Sequence, residues 1–370
     1  MTMQSPAASF PEPGLPAPDV ALRPTLPRVV AIGGGTGLPN VLRGLRPLLY
    51  GEAGSTPRDQ LVAVVTTTDD GGSSGRLREQ LGMIPPGDIR NCLAALAEQR
   101  GLVAELFQYR FDSGDGLNGH ALGNLVLAAL ADVTRDFERA VELAGRVVGA
   151  HGTVLPATTE SVTLVADLED GRTLQGETAI AGASGRIHRL SLAPRRPRCP
   201  ESAIAAVMDA DAIVVGPGSL YTSVLPPLLV PELADAIARA RGARIFVMNL
   251  MTEPGETDGY SAAEHLDVVL RHVGVPLFDV VLYSTSTISQ ELTDRYNVRG
   301  SSPVLVNATQ VDALTRAGVQ TIGVPMASEL VPGRIRHQPE RLGAAIAAIA
   351  MGRLGAGHGR APVPDAGSEA

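Results

Sequence analysis

The chain has 370 residues, 44% hydrophobic and 19% charged, enough for one large α/β domain or two medium ones and too apolar for disorder over most of its length. All 31 basic residues are arginine against 39 acidic ones, a net charge of −8. The absence of lysine excludes Schiff-base chemistry and the Walker A phosphate loop, and the acidic balance disfavours a nucleic-acid partner.

Residues 1–27 carry seven prolines and read as a disordered tail, as do the Gly-, Pro- and Ala-rich residues 355–370. The first arginine is Arg23, so no positively charged leader is expected, and Cys92 and Cys199 are too few for a disulfide framework. The uncharged stretch from Ala212 to Pro231 is broken by Gly216, Pro217, Gly218, Pro226 and Pro227, which argues against a membrane span. A cytoplasmic protein is the expectation.

Between the tails, β-branched runs alternate with helical periodicity. The runs are Val29 to Ile32, Leu61 to Val65, Ala212 to Val215, Ile245 to Met248 and Val280 to Tyr283. Helical patterns cover roughly Pro39 to Leu49, Ile89 to Ala97, Ala121 to Ala131, Phe137 to Val148, Glu232 to Arg241, Ala262 to His272 and Pro339 to Ala350. This alternation predicts a Rossmann-like, doubly wound, mostly parallel sheet with helices on both faces. From about 151 to 195 the pattern changes to period two, with an Asp170-Gly171 turn, and predicts a small antiparallel β insertion. A single domain over 28–354 is expected.

The chemistry-bearing residues stand at the strand ends. The first strand enters Gly33-Gly34-Gly35-Thr36-Gly37, whose free N–H groups and following helix start suit a phosphate. The spacing is not the dinucleotide fingerprint, because Leu38 takes the place of its third glycine, so a nicotinamide enzyme is a weak reading. After the second strand, Thr66-Thr67-Thr68-Asp69-Asp70-Gly71-Gly72-Ser73-Ser74 could hold Mg²⁺ beside a diphosphate, accept ribose hydroxyls or form a solvated turn. Asp88, Arg90 and Asn91 open one helix, with Asp88 read as its cap; His120 and Asn124 open the next. Gly216-Pro217-Gly218-Ser219 and the run from Asn249 to Gly259 end two further strands. Polar loops at one edge of an apolar sheet describe a ligand cleft.

Taken in order, GGGTGLPNVLRGL, TTTDDGGSSGRLR, PPGDIRN, GHALGN, GPGSLYTS and MTEPGETDG resemble the gluconeogenesis factor (YvcK) branch of the CofD-like family, from about Val29 to about Ala345. The resemblance implies a regulatory protein that binds UDP-N-acetylglucosamine, supports growth on gluconeogenic carbon sources and cell shape, and meets the amidotransferase that makes glucosamine phosphate. It places Gly34, Gly35, Thr36, Gly37, Thr68, Asp69, Asp70, Asn91, Asn124, Gly216, Gly218, Ser219 and Asn249 around the ligand, with Tyr296 and the Arg336-His337 pair from the C-terminal segment. The related 2-phospho-lactate transferases imply the alternative, an enzyme with a nucleotide diphosphate donor and Mg²⁺ at Asp69 and Asp70. Asn40, where they tend to carry lysine, and GPGSLYTS, in place of their loop, favour the regulatory branch. The sequence leaves the oligomeric state open, a homodimer included.

Overall fold

A computed structural model describes residues 26–51, 57–97, 101–329 and 333–352; the two expected tails fall outside it, except for residues 26–27, which carry no regular structure. The expected strands form as β1 (Val29–Gly33), β2 (Leu61–Val65), then β7 (Ala212–Val215), β8 (Ala243–Val247) and β9 (Val280–Ser284). Two more strands join them, β3 (Thr153–Pro156) and β10 (Gln320–Val324). Every pairing among the seven is parallel, in the order β10-β9-β8-β7-β1-β2-β3.

The strands alternate their side chains between two cores. Val29, Ala31, Ala63, Val214 and Ile245 pack against helices Gly37–Tyr50, Gly87–Leu96 and Pro339–Ala350. Val30, Ile32, Val62, Val64, Ile213 and Phe246 face helices Glu201–Met208, Pro231–Arg239 and Ala262–Val273 on the other side. Helices 37–50 and 339–350 cross backbone to backbone at Gly44 and Gly343, where a Cβ on Gly44 would lie 1.9 Å from the Pro339 carbonyl oxygen.

The antiparallel insertion is β4 (Thr163–Leu168), β5 (Thr173–Gln175) and β6 (Ile187–Ala193), in the order β5-β4-β6, with Asp170-Gly171 turning the β4–β5 hairpin. The insertion therefore starts later than expected. Thr153–Pro156 pairs with β2 and closes the main sheet instead. A short hairpin, β11 (Ala327–Ser328) with β12 (Arg336–His337), precedes the final helix.

Candidate functional site

The chain steps from β1 outward to β2 and β3, then returns to β7 on the opposite side of β1. Loops leaving β1 and β7 diverge there and open a crevice at the carboxyl ends of the strands, the usual ligand position in a doubly wound sheet. A cavity of about 310 Å³ occupies it. Gly35, Thr36, Gly37, Gly218, Ser219, Asn249, Tyr296 and Arg336 line it, joined by Asn40, Glu253, Arg299 and His337.

The first wall is the glycine turn. Gly37 starts the helix against the β7 loop so closely that a Cβ there would lie 2.0 Å from the Pro217 carbonyl oxygen. Thr36 caps that helix without a side-chain hydrogen bond, so the leading N–H groups and the positive end of the helix dipole are left for a ligand. One expectation fails here. The Gly35 N–H is not free; it donates to Asp88 Oδ2 at 2.7 Å. Asp88 consequently does not cap its own helix, whose N-cap is Pro86. Gly34 lies behind the turn, where a Cβ would meet Thr66 Cγ2 at 2.3 Å.

The second wall is the β7 loop. Gly216 extends the ladder, donating its N–H to the Ile32 carbonyl at 3.0 Å, and does not line the cavity. Asn249 Nδ2 donates to the Gly218 carbonyl at 2.7 Å, and Asn249 Oδ1 accepts the Gly218 N–H at 3.1 Å. The Ser219 hydroxyl donates to Glu253. This pair offers polar partners to hydroxyl groups.

The third wall comes from the C-terminal segment. Tyr296 packs with Leu250, Met251, Leu292 and Ile335, and its hydroxyl accepts the Ile335 N–H at 2.9 Å. That bond anchors the strand carrying Arg336. His337 is buried, its Nε2 bonded to the Met248 carbonyl at 3.2 Å, and burial pushes its pKa down to about 4, so the ring is neutral. Arg299 and Arg336 are exposed at the cavity and make no ion pair among the described residues.

The remaining expected residues gather on the β2 side and do not line this cavity. Asp69 Oδ1 accepts the Gly71 N–H at 2.9 Å; Asp70 Oδ1 accepts both the N–H and hydroxyl of Thr178, at 2.8 and 2.6 Å, tying the loop to the insertion. The Thr68 and Thr66 hydroxyls bond each other at 3.1 Å. Asn91 accepts from Arg90, and Asn124 donates to Ser73 Oγ, which also bonds His120 Nδ1. Asp88 is pushed up to about 6, by burial first, then by Asp69 and against the Gly35 bond. Glu177, from the insertion, is pushed up to about 9 by burial and the Asp88, Asp69 and Asp70 charges, and Glu256 up to about 7 by burial and Glu253.

Asp70 Oδ1 is committed to Thr178, and no three acidic, histidine or cysteine side chains converge in metal-holding geometry among the described residues. Asp69 Oδ2 and Asp70 Oδ2, which accept no hydrogen bond among the described residues, could meet a cation carried in by a diphosphate.

Fold and cavity together define a Rossmann-like α/β protein with a polar site at the strand-order reversal. Residues 29–327 match the family model described as 2-phospho-L-lactate transferase CofD. The chain belongs to that family, in its gluconeogenesis factor branch. It is 43% identical over 288 residues to the gluconeogenesis factor of Bacillus subtilis, covering 78% of this chain and 88% of the relative. The gluconeogenesis factor of Halalkalibacterium halodurans is 43% identical over 294 residues, covering 80% and 88%. A crystal structure of a UPF0052 family member from Bacillus halodurans superposes with a TM-score of 0.79 at 41% identity, covering 86% of this chain and 98% of that one.

Asp88, Glu253 and Arg299 were outside the expected ligand set. Asp88 was visible in sequence as a helix opener, and Glu253 stands in the expected loop after β8. Arg299 lies just past helix Gln290–Asn297 and carries no motif.

Proposed function

We propose that the chain is a regulatory protein that binds a nucleotide-sugar, UDP-N-acetylglucosamine, in the cavity between β1 and β7. The observation that carries this reading is the placement of Arg299 and Arg336, without carboxylate partners among the described residues, around the same cavity as the uncapped start of helix 37–50. Two guanidinium groups and a helix dipole end match the charge of a diphosphate. Ser219 and Glu253 supply polar partners for sugar or ribose hydroxyls. The relatives' name supports a role in growth on gluconeogenic carbon sources. The same reading extends to cell shape and cell-wall precursor supply, with glucosamine-phosphate synthase as the cytoplasmic protein partner. No helix among the described residues is long and apolar enough to cross a membrane.

A transferase of the CofD type is the second reading, favoured by the family model and by the carboxylate oxygen left on Asp69. Calorimetric titration separates the two. The regulatory reading expects selective binding of UDP-N-acetylglucosamine over UDP-glucose and NAD, lost in Gly35→Asp, and no turnover. Mg²⁺-dependent turnover of a nucleotide diphosphate donor, abolished by Asp69→Asn, would establish the enzyme, and no binding at millimolar ligand would end the sensor reading.

A further inference from the structure

Away from the cleft, residues 186–198 hold five arginines and a histidine with no acidic residue, in a chain whose net charge is −8. They run through β6, the edge strand of the small sheet, and beyond it. A cavity of about 430 Å³ opens between this strand and the C-terminal end of helix 262–273. Arg189, Arg195, Arg271 and His188 line it over a floor of Leu190, Leu192 and Leu229. The β4–β6 register shifts opposite Asp167 and Leu168, leaving His188 as the extra residue between Ile187 and Arg189. Bulges of this kind re-aim side chains at a sheet edge.

The outer edge of β6 supplies a backbone donor as well. The Leu190 N–H donates to His272 Nε2 at 2.9 Å, while His272 Nδ1 bonds the Val268 carbonyl at 2.7 Å, which fixes a neutral ring. By the alternation of an antiparallel strand, the Leu192 N–H faces the same outer edge. Leu164, its partner on β4, turns its carbonyl the other way, to the Gly176 N–H. The fixed charges acting on His272 are Arg271 and Arg189, both positive. Of the nearby carboxylates, Asp267 pairs with Arg271 and Asp167 accepts from Thr173, so Arg189 and Arg195 carry no ion pair among the described residues.

We propose that this cavity is a second anion site, separate from the cleft, for a small phosphate-bearing molecule. Two unpaired guanidinium groups and an edge N–H match the several acceptor oxygens of a phosphate better than a single carboxylate. An extended acidic peptide fits less well, because His272 already covers the edge at Leu190 and Pro194 interrupts it after Ala193.

The test follows the His188 and His272 ring resonances of the full chain during titration with inorganic phosphate or glycerol 3-phosphate at constant ionic strength, with chloride as the comparison. Both rings should shift saturably in the wild type and in an Arg299→Ser/Arg336→Ser variant that disables the cleft. The Arg189→Ser/Arg195→Ser variant, altered only at exposed positions, should lose affinity about tenfold or more. A response to both probes assigns the site to the phosphate group itself, and a response to glycerol 3-phosphate alone assigns it to a phosphate ester. Unmoved rings, equal shifts in chloride or unchanged affinity in the Arg189/Arg195 variant would overturn the site.

Discussion

Asn249 and Gly218 bind each other twice, side-chain amide to backbone peptide, at 2.7 and 3.1 Å. The end of β8 thereby holds the loop after β7, and Asn249 acts on the cavity by positioning its wall. Asn249→Ala removes both bonds and is expected to destabilise the protein by about 1–3 kcal/mol. Asn249→Asp keeps the acceptor for the Gly218 N–H and sets a carboxylate against the Gly218 carbonyl, so it should be worse. Thermal denaturation together with UDP-N-acetylglucosamine titration checks both, with affinity expected to fall at least about tenfold in each.

Gly37 admits no side chain without moving Pro217. Gly37→Ala is expected to cost about 1–3 kcal/mol of stability and to abolish measurable ligand binding, because the two walls of the cavity separate. Gly101→Ala, where a Cβ meets nothing within 4 Å, is the matched control. Gly101 is the N-cap of helix Leu102–Gln108, where alanine caps less well than glycine, so urea unfolding should show that control losing no more than about 1 kcal/mol, with ligand binding kept.

The buried carboxylates make stability depend on pH. Glu177 is raised from 4.5 to about 9, so between those values the folded state holds a proton that the unfolded state has released. Stability contributed by the group is full below the unfolded pKa and is lost as pH rises toward the folded one. Asp88 and Glu256, raised to about 6 and about 7, act in the same direction over narrower windows. Below about pH 6.5 the buried His337, lowered to about 4, works in the opposite direction, so the clear window lies above it: the melting temperature should fall from pH 7 to pH 9, and Glu177→Gln should flatten that fall. A melting temperature that rises over that range would contradict the arrangement.

Asp70 ties the insertion to the β2 loop through two bonds to Thr178. Asp70→Ala should cost about 1–3 kcal/mol and speed hydrogen exchange over residues 173–183, since both donors lose their acceptor. Ligand affinity should change less than about threefold, because Asp70 does not line the cavity. A large loss of affinity with stability unchanged would instead place Asp70 at the ligand.

Much of the architecture was legible because β1, β2 and β7 are buried throughout and read as unbroken apolar runs. β10 was not, since Gln320–Val324 is an edge strand, half-exposed and interrupted by Gly323. Thr153–Pro156 reads in sequence as part of the insertion because it runs directly into the period-two segment, and only pairing with β2 separates them. The site was legible where backbone geometry makes it, in the glycine turns and at Asn249. It was not legible where one loop's side chain satisfies another loop's backbone, as Asp88 does for Gly35 and Tyr296 does for Ile335. Such long-range bonds leave no local spacing to read.

The most direct measurement is a crystal structure of the protein with UDP-N-acetylglucosamine bound. The diphosphate is expected at the start of helix 37–50, held by Arg299 and Arg336, with Ser219 and Glu253 on sugar or ribose hydroxyls. A diphosphate found instead on the β2 side, bridged by a metal ion to Asp69, would contradict the account and establish the transferase arrangement.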